Sequence, residues 1–242
     1  MSNQPRLSAL PPVPRHSLGD RVYETLRDRI VSLQLEPGEM VYENELSDML
    51  QVSRTPVREA IRLLVSEELM EVLPQRGTRI ARISGRKVSE ARYVRELLEV
   101  GSFRLAARRW GKIGTPEIEK KLTDLLAGQK EAASRRDFVR FIALDEAFHR
   151  RIMEATGNAT LVKVVDQMRA HINRLRCLAL RELRVSDRVL SEHEQLLLAL
   201  RRCDERMIVD VLERHLRALE NEIPDLRKRL PHYFADDPEE SS

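Results

Sequence analysis

Val52-Ser53-Arg54-Thr55-Pro56-Val57-Arg58-Glu59-Ala60 decides how the first third of this chain folds. Ser53 or Thr55 is placed to cap a helix, and Pro56 is tolerated in its first turn, where a backbone N–H has no intrahelical partner. Arg54, Arg58 and Arg62 recur every four residues and share one face. Val57, Ala60, Ile61 and Leu64 take the opposite face and can pack on a core. A helix with an apolar back and an arginine front, opening on small hydroxyl residues, suits a DNA major groove. Arginine pairs with guanine edges or phosphates, and the hydroxyls reach phosphate oxygens. The plainer alternative is a solvated arginine stripe on an ordinary surface helix.

The flanks favour the first reading. Val22, Leu26, Ile30 and Leu33 give an amphipathic first helix, and Pro37-Gly38 marks a turn. Leu46, Met49 and Leu50 make a short second helix, joined through Gln51-Val52 to the arginine helix. Glu71–Leu73 and Thr78–Ile83 read as two strands, with Pro74, Gln75, Arg76 and Gly77 between them. Three helices and a hairpin in that order make a winged helix-turn-helix. Arg76 and Gly77 sit at the wing tip, where Gly allows close backbone approach and Arg can enter a minor groove.

Composition sets bounds. The chain has 242 residues, 42% hydrophobic and 4% aromatic, rich in Leu, Arg, Glu and Ala, which favours helix. Its formal charge is +3, while residues 1–82 carry 11 Lys/Arg against 12 Asp/Glu. DNA binding must therefore rest on where the arginines lie, and a non-specific architectural protein is disfavoured. Cys177 and Cys203 match no zinc spacing and no disulfide framework, so reduced thiols and a cytoplasmic location are expected. No apolar run spans a bilayer, and no signal-peptide core opens the chain.

From Val88 onward the pattern is helical, with helices expected over 87–110, 116–133, 137–155, 159–183, 187–201 and 204–221. The fold class is thus mostly α: a winged helix-turn-helix followed by an all-helical bundle of about six helices. The expected organisation is a disordered arm at 1–14, the reading head at 15–83, a linker at 84–87, the helical domain at 88–230 and an acidic tail at 231–242. Asp145 and His149, at i and i+4, fall within the apolar stripe of Phe138, Phe141, Ile142, Phe148 and Ile152. His193 falls in the stripe of Leu190, Leu196, Leu197 and Leu200, and His215 in that of Ile208, Val211, Leu212 and Leu219. A buried carboxylate is costly unless paired or bound to a cation. One carboxylate and three imidazoles make a natural ligand set for Zn²⁺, Ni²⁺ or Mn²⁺. Hydrogen-bonded core histidines and a simple buried Asp145–His149 pair are the alternative. His171 stays a core or pocket position.

Val52–Ala60, Arg62-Leu63-Leu64 and Pro74-x-x-Gly77 resemble the amino-terminal domain of GntR-type bacterial transcription regulators, over roughly residues 18–83. Gln51 departs from the Gly usual at its turn, and Asn44 stands where relatives often carry an arginine. The resemblance implies DNA contacts by Arg54, Thr55, Arg58 and Gly77, with Ser53 and Arg76 beside them. Asp145-Glu146-Ala147-Phe148-His149, Thr156-Gly157-Asn158, Glu192-His193 and His215-Leu216 resemble the FCD domain of the FadR-like branch, over about residues 88–220. Many such domains hold a divalent metal by one Asp and three His in this order, which implies zinc first, with nickel or manganese also admissible. Six helices and a short linker suggest the VanR-like subgroup, and the histidine set argues against an acyl-CoA ligand. Arg95-x-x-Leu98-Glu99 matches the first helix of that domain. Arg95 is thus a candidate to pair with an effector carboxylate, a surface salt bridge being its alternative.

These readings imply a homodimeric regulator, a repressor by default, that sets two recognition helices on a palindromic DNA operator. A small carboxylate metabolite bound beside the metal would control it. One alternative is a helical half that only dimerises, with structural histidines. The other is a metal-dependent hydrolase, which would need a general base near the metal. Glu146 points to another face, so no base is evident.

Overall fold

The computed structural model describes residues 17–236. The reading head opens with α1 (Leu18–Val31), started by a reciprocal capping box in which Ser17 and Asp20 each bond the other's backbone N–H. Next come β1 (Met40–Val41), α2 (Glu43–Leu50), α3 (Arg54–Ser66), β2 (Met70–Leu73) and β3 (Gly77–Ile80). The antiparallel sheet has order β1-β3-β2, with Met70 opposite Ile80 and Leu73 opposite Gly77. Leu26, Ile30, Leu46, Val57, Ala60, Leu64, Leu69 and Ile80 form the head's core. The arginine helix thus turns its predicted apolar back inward.

Several local expectations change. β1 is an extra strand, and β3 ends at Ile80 rather than Ile83. Ser53 occupies the N-cap of α3, but its side chain makes no cap hydrogen bond, and neither does Thr55. Gln51 is left-handed, at φ 54° and ψ 45°, and its amide donates to Asp48 O at 2.7 Å. Leu33 is buried, but it lies past the end of α1 and packs into the helical domain.

Six helices make the second domain among the described residues: α4 (Gly85–Ile113), α5 (Pro116–Ser134), α6 (Phe138–Ala155), α7 (Ala159–Leu183), α8 (Ser186–Arg201) and α9 (Glu205–Arg229). Thr115, Asp137, Asn158 and Asp204 cap α5, α6, α7 and α9 through side-chain oxygens, which is why the chain turns where polar residues punctuate it. The expected linker at 84–87 is instead the start of α4. Ser84 caps it, and Gly85 sits in the first turn, where no intrahelical N–H bond is needed. α9 runs through Pro224, eight residues beyond its expected end at 221.

The two domains meet along α7. His171 Nε2 donates to Glu67 O at 2.9 Å, and Arg174 donates to Ala81 O. The Cys177 thiol donates to Ser32 O at 3.6 Å. Arg174 is fully buried, and burial lowers its pKa to about 10 against the pull of Glu71. Part of the expected acidic tail also joins this junction. After a 3₁₀ turn at Pro231–Tyr233, Ile83 N donates to Tyr233 O at 2.8 Å and Ala235 N to Ile83 O at 2.9 Å. Tyr233 and Phe234 are buried, because two aromatics next to Pro231 have more apolar surface to bury than the neighbouring acids can hold in solvent. The expected arm at 1–14 and the last six residues lie outside the described residues. Among those described, no helix is long and apolar enough to cross a membrane.

Candidate metal centre and DNA-reading face

Asp145 and His149 project from α6, His193 from α8 and His215 from α9. Their ligating atoms all lie within 4.8 Å of one another, and all four residues are buried. The helical period places them together: each sits on the face that its helix turns to the core. Phe148 stacks on His193 at 4.8 Å between ring centroids.

A polar shell orients the rings. His149 Nδ1 lies 2.6 Å from Glu99 of α4, His193 Nδ1 lies 2.8 Å from Gln129 Oε1 of α5, and His215 Nδ1 lies 2.8 Å from Glu192 of α8. Each partner atom is an acceptor oxygen, so each Nδ1 carries the proton and each Nε2 presents a bare lone pair. The Nε2 atoms of His149 and His193 lie 3.2 Å apart, and His193 Nε2 lies 3.3 Å from Asp145 Oδ1. Neither Asp145 oxygen has a hydrogen-bond partner among the described residues, although the Arg176 guanidinium forms an ion pair with it. Burial alone would raise Asp145, but Arg176 and the two nearest histidines hold its carboxyl well below the usual range. An anionic oxygen and three imidazole nitrogens within 4.8 Å of one another fit a divalent cation, and the donors are those of a zinc-type site.

Burial lowers the His149 pKa to about 4 and places His193 well below its ordinary value. The folded state therefore rejects protons that the unfolded chain accepts. Stability is complete above the unfolded value of 6.5 and is lost as pH falls from there toward 4. For chelator-treated protein, the expected loss over that window is up to about 3 kcal/mol from His149. Denaturant midpoints measured across the window check it, and a flat profile would show that the cluster is hydrated.

Beside His215 lies a cavity of about 40 Å³ whose lining includes Arg92, Arg95, Arg176, Arg188 and Glu222. Every arginine in it is already paired: Arg92 with Glu96 and Glu220, Arg95 with Glu99, Arg176 with Asp145, and Arg188 with Glu222. Arg95 thus faces the pocket, and its pair with Glu99 is buried rather than on the surface. Glu99, Gln129, Glu192 and Arg176 were not singled out as site residues by sequence reasoning. Glu99 and Glu192 lay inside quoted motifs, while Gln129 and Arg176 carried no signal.

On the head, Ser53, Arg54, Thr55, Arg58 and Arg62 are exposed along α3. Arg76 is exposed at the β2–β3 turn. Gly77 has φ 109°, where any side chain is strained, and a Cβ there would press on the Tyr42 ring at 3.1 Å, which would have to give by a few tenths of an ångström. Arg58 Nε bonds Glu43 at 2.7 Å, a partner that sequence spacing did not reveal.

Residues 18–80 match the model of bacterial regulatory proteins of the gntR family, and residues 90–218 match the FCD domain. The chain is 33% identical to an HTH-type transcriptional regulator in an unstable DNA locus of Streptomyces ambofaciens, covering 89% of each. It is 28% identical to the gluconate operon transcriptional repressor of Bacillus subtilis strain 168, over 87% of this chain and 86% of that one. The solved structure of E. coli McbR/YncC superposes with a TM-score of 0.72 at 22% identity, covering 88% and 98% of the two chains. The Streptomyces and Bacillus relatives are named as regulators of transcription, and the chain belongs to the GntR family of bacterial transcription regulators, in the branch that carries an FCD domain.

Proposed function

We propose that this regulator is a homodimeric repressor whose hold on a palindromic operator is set by a small carboxylate bound near a buried divalent cation. The observation that supports it best is the arrangement of the three histidines: every Nδ1 is tied back to an oxygen, and ligating atoms of all three lie within 4.8 Å of one another and of a carboxylate oxygen of Asp145. Asp145, His149, His193 and His215 would hold zinc, with nickel and manganese compatible with the same donors. The cation would supply a Lewis-acidic contact for a carboxylate oxygen.

The chain's own residues do the rest. The four arginines lining the cavity are all paired, so a carboxylate effector would exchange with those pairs. Arg95 offers a fork that a carboxylate can share with Glu99, and Arg176 can pass from Asp145 to the ligand. At the operator, Arg54, Thr55 and Arg58 read the major groove, Ser53 contributes a hydroxyl to phosphate, and Arg76 and Gly77 bring the wing to the backbone. The Bacillus relative's operon handles gluconate, itself a hydroxy acid, which supports the effector class.

The test is metal content of protein purified without added metal or chelator, for wild type and for His193→Ala with His215→Ala. About one divalent ion per chain in the wild type, lost in the double variant, is expected. Wild type that stays metal-free after soaking in zinc and nickel would return the histidines to the core.

A further inference from the structure

Between the domains, α1 of the head and α6 and α7 of the helical domain enclose a cleft of about 540 Å³, which shares no lining residue with the pocket beside His215. Clefts that hold small molecules run to roughly 300–1,000 Å³ and favour domain junctions. Helical spacing lines this one. Val139, Ile142, Glu146 and Arg150 recur along one face of α6, and Asp166, Arg169, Asn173 and Cys177 along one face of α7. Its cations are taken. Arg150 and Arg169 share Asp166, at 2.5 and 3.3 Å, and Arg169 also lies 3.5 Å from Glu146. On the head's wall Arg27 pairs with Glu67, and Arg29 donates to Met49 Sδ. Its acceptors are not taken. Asp28, on the same wall, makes no salt bridge or side-chain hydrogen bond among the described residues. Glu146 receives Asn173 Nδ2 at 2.5 Å and Arg169 Nη1 on one oxygen, Oε1, which leaves Oε2 without a partner. Asn173 is 5% exposed, and its Oδ1 accepts no hydrogen bond. Burial raises the Asp28 carboxyl above its ordinary range against the pull of Arg27, and Glu24 and Glu146 push it the same way, so Asp28 and Glu146 feel each other across the cleft.

We infer that this cleft is a second small-molecule site, one that takes a primary organic ammonium ion with a short apolar tail. Such an ammonium carries three donors and no acceptor. Two of them meet Asp28 of the head and Oε2 of Glu146. The third meets Asn173 Oδ1, whose amide turns to it within the broad χ2 range of asparagine. The tail lies toward Val31, Val139 and Ile142, and covers Val139, which is 50% exposed. An anion fits worse, because it must take an arginine away from Asp166 or Glu146. Asp28 belongs to the head, and Glu146 and Asn173 belong to the helical domain, so the bound cation ties one to the other. The regulator then has a second input, of opposite charge to the carboxylate at the metal pocket and independent of it.

The probe is isoamylamine, titrated by calorimetry into the full chain, with isoamyl alcohol and isovalerate as its neutral and anionic counterparts. The amine is expected to bind with a Kd of about 1 mM or tighter, the alcohol to bind about tenfold more weakly or less, and isovalerate not to displace the amine. Asp28→Asn and Glu146→Gln should each raise the amine's Kd about tenfold, with helix content and metal content unchanged. Asp28→Lys brings its own ammonium to Glu146 and should abolish binding. Asp28 is exposed, so its variants keep the fold. Wild type that binds neither isoamylamine nor any straight-chain amine from ethylamine to hexylamine overturns the site. Amine binding that survives both Asp28→Lys and Glu146→Gln also overturns it, as does alcohol binding equal to that of the amine. Any of these failures leaves the metal pocket and its carboxylate untouched, since that reading is tested by metal content.

Discussion

Glu99→Ala is expected to destabilise the protein by about 3–5 kcal/mol, the largest effect of any single substitution considered. Glu99 is fully buried and serves two partners at once. It meets Arg95 at 2.5 Å, and it accepts from His149 Nδ1 at 2.6 Å. Its burial raises the carboxyl pKa, but the Arg95 charge and His149 outweigh that and hold it well below the carboxylate range. Removing it leaves the Arg95 guanidinium buried without a counter-charge, and frees the His149 ring to change tautomer. Urea unfolding in the presence of chelator measures the first effect. Zinc titration of the folded variant measures the second, where affinity should fall roughly 10–100-fold. Glu99→Gln separates the two, because an amide oxygen still accepts from Nδ1 but does not neutralise Arg95. A loss under about 1 kcal/mol for the alanine variant would mean that solvent reaches the pair.

Arg58→Ala is expected to cost about 1–3 kcal/mol of operator affinity, with helix content unchanged. Arg58 is exposed in the middle of the outer face of α3 and touches nothing in the core. Among the described residues it pairs with Glu43 at the start of α2. That pair must open or be shared when the guanidinium meets DNA, so Glu43→Gln should tighten binding modestly at low salt. Fluorescence anisotropy over a salt series reads both results. If Arg58 touches phosphate, the salt slope falls by about one; if it reads a base, the slope holds and specificity at one position relaxes. Unchanged affinity for Arg58→Ala would remove α3 from the operator contact.

Much of this was legible because helices repeat every 3.6 residues. Asp145, His149, His193 and His215 interrupt apolar stripes, so their inward direction followed from spacing, and capping residues such as Asp137 and Asn158 marked the turns. The partners of those ligands were harder to see. α4 buries Arg95, Glu96 and Glu99 on its inner face and exposes Tyr93 and Leu97 on its outer one, so hydropathy gives the wrong sign at both. Gln129 has no stripe to break. Gly85 and Pro224 look like helix breaks, yet one sits in a first turn and the other inside a helix held by its packing. The placement of Tyr233 and Phe234 depends on a groove made jointly by two domains, which no local pattern encodes.

Among the described residues, the hydrogen bonds by which His171, Arg174 and Cys177 hold the reading head all end on carbonyl oxygens, those of Glu67, Ala81 and Ser32. A carbonyl is the same in every residue. These contacts therefore depend on where two helices and a wing strand end, and not on which side chains they carry. Substitutions that alter base preference along α3 leave this seat intact, so operator choice can drift while the helical domain keeps its hold. The rest of the junction is not indifferent: Leu33 packs among helical-domain residues, Ala170 of α7 enters the head's core, and Lys87 pairs with Glu68, so an exchanged head would have to match those side chains as well as the three donors.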